Sequence, residues 1–341
     1  MKWLGLVLIA VVLVGCSQTA EPDSLLRIEG KTMGTQYRVT WPAAQLSDSG
    51  TLQQALEQRL LDINASMSTY DPESELSHIN RMTTDALRQG IAISADLATV
   101  LHMSKIVHEQ SGGAFDVTLG PLVNLWGFGP DPFSGNAPSD SAVTDALTRV
   151  NAGAIQLDGQ QLVIEEALYI DLSAIAKGWA VNELASVLEH HGVVDFLVDI
   201  GGELYGQGLK PNGEPWRIAI ERPSLEGHRQ AQLILPLTNK GIATSGDYRN
   251  FFMHNGVRYS HTIDPRNGYP IRHDLASVTV VHESVGLADA WATALNVVGT
   301  EAAIELAEKY QLAVFILQRQ EDGFQELASS QFKKIFADAL P

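Results

Sequence analysis

Four runs in the second half of the chain decide the fold: Trp216-Arg217-Ile218-Ala219-Ile220-Glu221, Ala231-Gln232-Leu233-Ile234-Leu235-Pro236-Leu237, Arg258-Tyr259-Ser260-His261-Thr262-Ile263-Asp264 and Ala276-Ser277-Val278-Thr279-Val280-Val281-His282. Each reads as a strand. Phe196–Ile200 precedes them and Leu312–Gln318 follows, and helices do not alternate regularly with these strands. Helical periodicity appears over Ser284–Val298, where Leu287, Trp291, Leu295 and Val298 form one stripe, and again over Thr300–Tyr310. In the first half, Leu25–Glu29 and Gln36–Trp41 pair as strands around Lys31-Thr32-Met33-Gly34-Thr35. A helix begins near Thr51, with Leu52, Leu56, Leu60, Ile63 and Met67 on one face. Ser94 caps another, with Leu97, Val100, Leu101 and Val107 inward and a stop at Gly112. Gly127–Asp140, rich in proline and glycine, is a loop. Gln161–Glu165 and Tyr169–Leu172 read as short strands, and Ala174–His191 as a helix ending at Gly192. The mixture predicts an α+β fold with largely antiparallel sheets and packed helices, not a doubly wound parallel sheet.

The 341 residues hold 23 Lys+Arg against 40 Asp+Glu, a formal charge of −17, and no basic run. That balance argues against a nucleic-acid binder, which needs clustered positive surface. The single cysteine excludes an internal disulfide and a cysteine-rich metal site. It stands at Cys16, after Lys2, the apolar run Trp3–Val14 and Gly15. The run suits a signal-peptide core and is too short to span a bilayer. Leu13-Val14-Gly15-Cys16 looks like a bacterial lipobox, so residues 1–15 are expected to be a signal peptide. Residues 16–24 would then be a lipidated tether and 25–341 a single domain.

Several familiar signatures fail. Gly30-Lys31-Thr32 mimics a P-loop end, but Leu25 stands where its first glycine belongs. Asp199-Ile200-Gly201-Gly202-Glu203 follows a strand, yet lacks dinucleotide-site spacing and a helix after it. There is no His-Glu-x-x-His pair and no Gly-x-Ser-x-Gly elbow.

Five polar or glycine-rich clusters remain at the ends of apolar elements, where ligand sites are built. Ser111 to Pro121 contains Gly112-Gly113-Ala114-Phe115-Asp116. Asp171 to Trp179 ends a strand and starts a helix, with Lys177 as an anion partner. Thr244-Ser245-Gly246-Asp247-Tyr248 is dense in donors. His261 stands at a strand end before Asp264-Pro265-Arg266-Asn267-Gly268. Asp289 and Thr293, at i and i+4, put a carboxylate and a hydroxyl on one helix face, a donor set for a hard cation such as Mg²⁺. Each cluster read alone is also consistent with a cap, a turn or a surface contact.

Taken in order, these clusters with Met33-Gly34-Thr35 and Asp199-Ile200-Gly201-Gly202 resemble the ApbE family of FAD:protein FMN transferases, from about residue 28 to 318. The resemblance implies two intimate lobes with FAD held between them. It implies that Met33, Tyr70, Ala114, Phe115, Asp116, Asp171, Lys177 and the backbone near Ile263 touch FAD. Mg²⁺ would be held by the Ala174 carbonyl, Asp289 and Thr293, and His261 would act as the base. The implied reaction splits FAD, puts FMN on a Thr or Ser hydroxyl and releases AMP. The implied acceptors are flavin-bearing subunits of sodium-pumping NADH:quinone reductase or Rnf-type complexes, met on the periplasmic side of a membrane. An FAD pyrophosphatase or a flavin-binding lipoprotein would use the same pocket.

Overall fold

The computed structural model describes residues 24–133, 135–223, 230–247 and 250–340. Cys16 and Tyr248 lie outside the described residues. The centre is an eight-stranded sheet: β1 (Leu25–Thr32), β2 (Thr35–Pro42), β3 (Phe196–Ile200), β4 (Glu203–Gln207), β5 (Lys240–Gly246), β6 (Leu275–His282), β7 (Ala313–Gln320) and β8 (Gly323–Ala328). Spatial order equals chain order, and every neighbouring pair is antiparallel. This is the antiparallel α+β arrangement the strand pattern predicts.

The meander is interrupted by excursions that cover it. Between β2 and β3 come α1 (Ser49–Met67), α2 (Ala95–Gln110) and α3 (Ala176–His190). Between β6 and β7 comes α4 (Val285–Val298). These helices bury their apolar stripes with Tyr37, Val39, Val198, Val278, Val280, Val314 and Ile316 of one sheet face. The opposite face, with Val281, Phe315 and Leu317, is covered by the hairpin Trp216–Glu221/Ala231–Leu237 and by Phe332 and Phe336. Both faces are buried, so Ala313–Leu317 is apolar without alternation. A smaller core gathers Leu122, Trp126, Val143 and Ile263, with Phe252 and Tyr259 of the hairpin Phe251–His254/Val257–Ser260 packed on it.

Three local expectations change. Tyr169–Leu172 is not in a strand: the Asn80 side chain pairs both main-chain groups of Ile170, at 2.8 Å each, and so substitutes for a strand partner. The run at Arg258–Asp264 ends its pairing at Ser260, and Ile263 makes only an isolated bridge to Pro270. Thr244-Ser245-Gly246, from sequence part of a donor-dense cluster or a polar turn, is the end of strand β5, which lies between β4 and β6. Its small residues have a packing reason, since a Cβ on Gly241 would meet the Val285 side chain at 2.4 Å.

Candidate functional site

A cleft of about 1580 Å³ runs along the ends of these elements. Met33, Tyr70, Ala174, Lys177, His261, Ile263, Asp289 and Thr293 line it, so most of the expected site residues come together. Met33-Gly34 is the two-residue turn between β1 and β2, with φ of 48° and 70°. A left-handed methionine costs roughly 1–2 kcal/mol, strain of the kind that persists at functional sites. Tyr70 stands exposed at the mouth and donates from its hydroxyl to the Phe128 carbonyl.

The floor is where α3 and α4 meet. Gly178 allows that approach, because a Cβ there would lie 2.4 Å from the Val285 carbonyl oxygen. The Gly178 N–H, in the first turn of α3, donates to Asp289 Oδ2 at 3.1 Å. Asp289 therefore caps α3 from α4 and sits on its positive end. The Lys177 ammonium lies 3.6 Å from Asp289 Oδ2 and 3.2 Å from Glu203 Oε1. Burial alone would lower Lys177, but the charges of Asp289 and Glu203 outweigh it and hold it above its usual value. Burial pushes the Asp289 carboxyl up to about 7 against the opposing charge of Lys177. On α4, one turn beyond Asp289, the Thr293 hydroxyl meets Ser245 Oγ at 3.2 Å.

His261 forms part of another wall. Its main-chain N–H and its ring Nδ1 both reach the Asn250 carbonyl, at 3.0 and 3.1 Å. A carbonyl only accepts, so Nδ1 carries the proton and Nε2 keeps its lone pair. Burial lowers the ring's pKa, and the charge on Lys177 lowers it further against the pull of Asp247. The imidazole is therefore neutral at pH 7, and among the described residues its Nε2 has no hydrogen-bond partner.

The other expected contacts lie elsewhere. Ala114 and Phe115 are buried behind the cleft, not among its lining residues. Asp116 accepts from the Thr118 N–H and hydroxyl and from the Ala152 N–H, and faces His108 at 3.5 Å. Asp171 is also off the lining, although the neighbouring Leu172 and Ser173 are on it. It accepts from the Ser173 N–H at 2.8 Å, and its own N–H donates to Val117. Asp247 is clamped between Arg258 and Arg319, while Asp264 holds its turn through Arg266 and Asn267.

Sequence reasoning missed Glu203. Gly201 and Gly202, with φ of 66° and 112°, form the tight turn from β3 to β4. The failed dinucleotide signature is this hairpin, and its glycines bring Glu203 to the cleft floor. The available signal was an acidic residue opening an apolar strand at an inward position. Among the described residues no cluster of three or more His, Cys, Asp or Glu could hold a metal ion. The oxygen donors of Ala174, Asp289 and Thr293 instead suit a hard cation sharing the cleft with an anionic ligand.

Residues 33–316 match the ApbE family. The chain is 41% identical to a Vibrio cholerae FAD:protein FMN transferase over 334 residues, covering 97% of this chain and 98% of that protein. It is also 41% identical to the FAD:protein FMN transferase of Haemophilus influenzae over 336 residues, covering 96% of each. The solved Vibrio cholerae flavin transferase ApbE superposes with a TM-score of 0.85 at 40% identity, covering 92% of this chain and all of that one.

Proposed function

We infer that this chain, which belongs to the ApbE family, is an FAD:protein FMN transferase. The observation that carries the chemistry is His261, whose pinned Nδ1 leaves Nε2 as a free base in the same cleft as Lys177. The acceptor hydroxyl attacks the FMN phosphorus and gives its proton to His261 Nε2. The bond from that phosphorus to the bridging oxygen breaks, and AMP leaves with the electron pair. Lys177 offers positive charge to the diphosphate, and the Met33 turn and Tyr70 border the space for the flavin. Alignment and charge neutralisation do most of the work in phosphoryl transfer.

The donor set fits Mg²⁺: one carboxylate, one hydroxyl and one main-chain carbonyl, from Asp289, Thr293 and Ala174, all border the cleft. Bound there, the ion supplies charge stabilisation to the diphosphate. Cys16 serves as a lipid anchor that places the domain on the periplasmic side of a membrane. Its support is the apolar run before the only cysteine. Among the described residues no helix is long and apolar enough to cross a membrane. The acceptors are flavin-bearing subunits of sodium-pumping NADH:quinone reductase or Rnf-type complexes, a reading supported by the family resemblance.

Incubating protein, FAD and Mg²⁺ with and without an acceptor domain tests this. The transferase reading requires AMP release that depends on the acceptor, with flavin covalently attached to it. AMP without acceptor identifies a pyrophosphatase, and absence of AMP identifies a binder.

A further inference from the structure

The Glu203 side chain is 7% exposed and lines the floor of the cleft. One oxygen accepts from Lys177, while Oε2 is buried and, among the described residues, has no hydrogen-bond partner. A buried carboxylate oxygen without a partner is costly, and such groups are normally satisfied. The imbalance extends to the group around it. Two carboxylates, Glu203 and Asp289, share one ammonium within 3.6 Å. Among the described residues neither carboxylate has an arginine or a second lysine as an ion-pair partner. The remaining demand is for a positive charge that binds oxygen.

We propose that Glu203 is the second carboxylate of the divalent-cation site, and that the Lys177 ammonium stands in for the cation until it arrives. The proposal rests on the hard-cation reading of Asp289 and Thr293 and adds a residue to it. Two carboxylates also give the site enough charge to bind a divalent ion before FAD brings its phosphates. Displaced from the carboxylates, Lys177 is left to face the diphosphate. The Gly201-Gly202 turn serves this arrangement, because its positive φ values set Glu203 at the start of β4 beside α3 and α4.

The test is Mn²⁺ binding to FAD-free, full-length protein, read from the EPR signal of free Mn²⁺, with a melting curve for each variant. Glu203→Gln keeps the shape and an acceptor for Lys177, and should weaken Mn²⁺ binding by about 10- to 100-fold. Glu203→Asp keeps the charge but withdraws the oxygen by one methylene, and should weaken it comparably. Lys177→Met removes the stand-in and should tighten binding. Unchanged affinity in Glu203→Gln overturns the proposal. So does wild-type affinity in Glu203→Asp, which would mean that charge acts without contact, or weaker binding in Lys177→Met. Should Glu203→Gln not fold, the other two variants decide. Acceptor flavinylation is scored separately with Mg²⁺. Normal transfer with unaltered Mn²⁺ affinity in Glu203→Gln removes Glu203 and leaves the transferase reading intact. Absence of Mn²⁺ binding in the FAD-free wild type overturns the proposal, while Mg²⁺-dependent transfer still tests the cation reading on its own.

Discussion

Gly178→Ala tests whether the α3–α4 contact sets the geometry of the floor. The added methyl would sit 2.4 Å from the Val285 carbonyl oxygen, 2.7 Å from its carbon and 2.8 Å from Asp289 Cβ. Ordinary contact begins near 3.4 Å, so α3 and α4 must part by about 1 Å, since backbone cannot swing aside as a side chain can. Overpacking of this kind costs about 1–3 kcal/mol. For a domain of this size that is a fall in Tm of about 1.5–5 °C. The same shift carries Asp289 away from the Gly178 N–H and from Lys177. A displacement of about 1 Å at a reacting centre lowers turnover by about 100-fold. Gly192→Ala is the control: it has φ +77° but nothing within 4 Å of the added atom. It should cost about 1–2 kcal/mol through backbone strain alone and leave turnover intact. AMP release and acceptor flavinylation, measured with Tm on each variant, give the answer. Wild-type turnover in Gly178→Ala would refute the argument that helix approach sets the Asp289–Lys177 geometry.

His261→Ala should lower flavin transfer by about 100- to 10,000-fold with FAD affinity little changed, and full transfer would remove it as the base. Because burial depresses this imidazole below 6.5, protonation favours the unfolded chain. Its contribution to stability is present above pH 6.5 and declines as pH falls through the folded value. The acidic limb of the pH–rate profile should follow the same window and vanish in His261→Ala. Asp289→Ala should reduce transfer by at least about 100-fold and alter its Mg²⁺ dependence, while FAD binding survives in part. Unaltered Mg²⁺ dependence would show that Asp289 is not a ligand. Cys16→Ser should release the protein from membranes with FAD binding intact, and fractionation that still finds it in the membrane would end the lipoprotein reading.

The elements legible in the sequence were those whose own chemistry suffices. α1 and α2 show apolar stripes, and Ser94 accepts from the Leu97 N–H as a cap should. Gly112 and Gly192 close their helices with φ of 64° and 77°. β5 was illegible for the opposite reason. Gly241, Ala243 and Gly246 have poor strand propensity, and their neighbours on either side hold them extended. Tyr169–Leu172 misled in the other direction: buried Ile170 and Leu172 gave a strand pattern, but Asn80 supplies the pairing from the side.

The site divides along the same line. Positions that act through backbone conformation, such as Met33-Gly34 and Gly201-Gly202, leave glycines that sequence reading notices. What they hold in place depends on register. Glu203 becomes the partner of Lys177 because β4 pairs with β3 from Ile200↔Glu203 onward, and a one-residue slip would turn its carboxylate to the opposite face. Asp116, Asp247 and Asp264 carry the same acidic signal in the chain, yet each is engaged in building its loop. The separating property is saturation. Asp116 spreads its two oxygens over several donors, Asp247 has two guanidinium groups, and Asp264 has Arg266 and Asn267. Glu203 and Asp289 instead share a single ammonium, supplemented for Asp289 by one N–H. A carboxylate whose hydrogen-bonding capacity is spent on its own loop has none left for a ligand; two that divide one lysine do. That distinction depends on Lys177 meeting Asp289, 112 residues further along the chain, so it emerges only once the chain has folded.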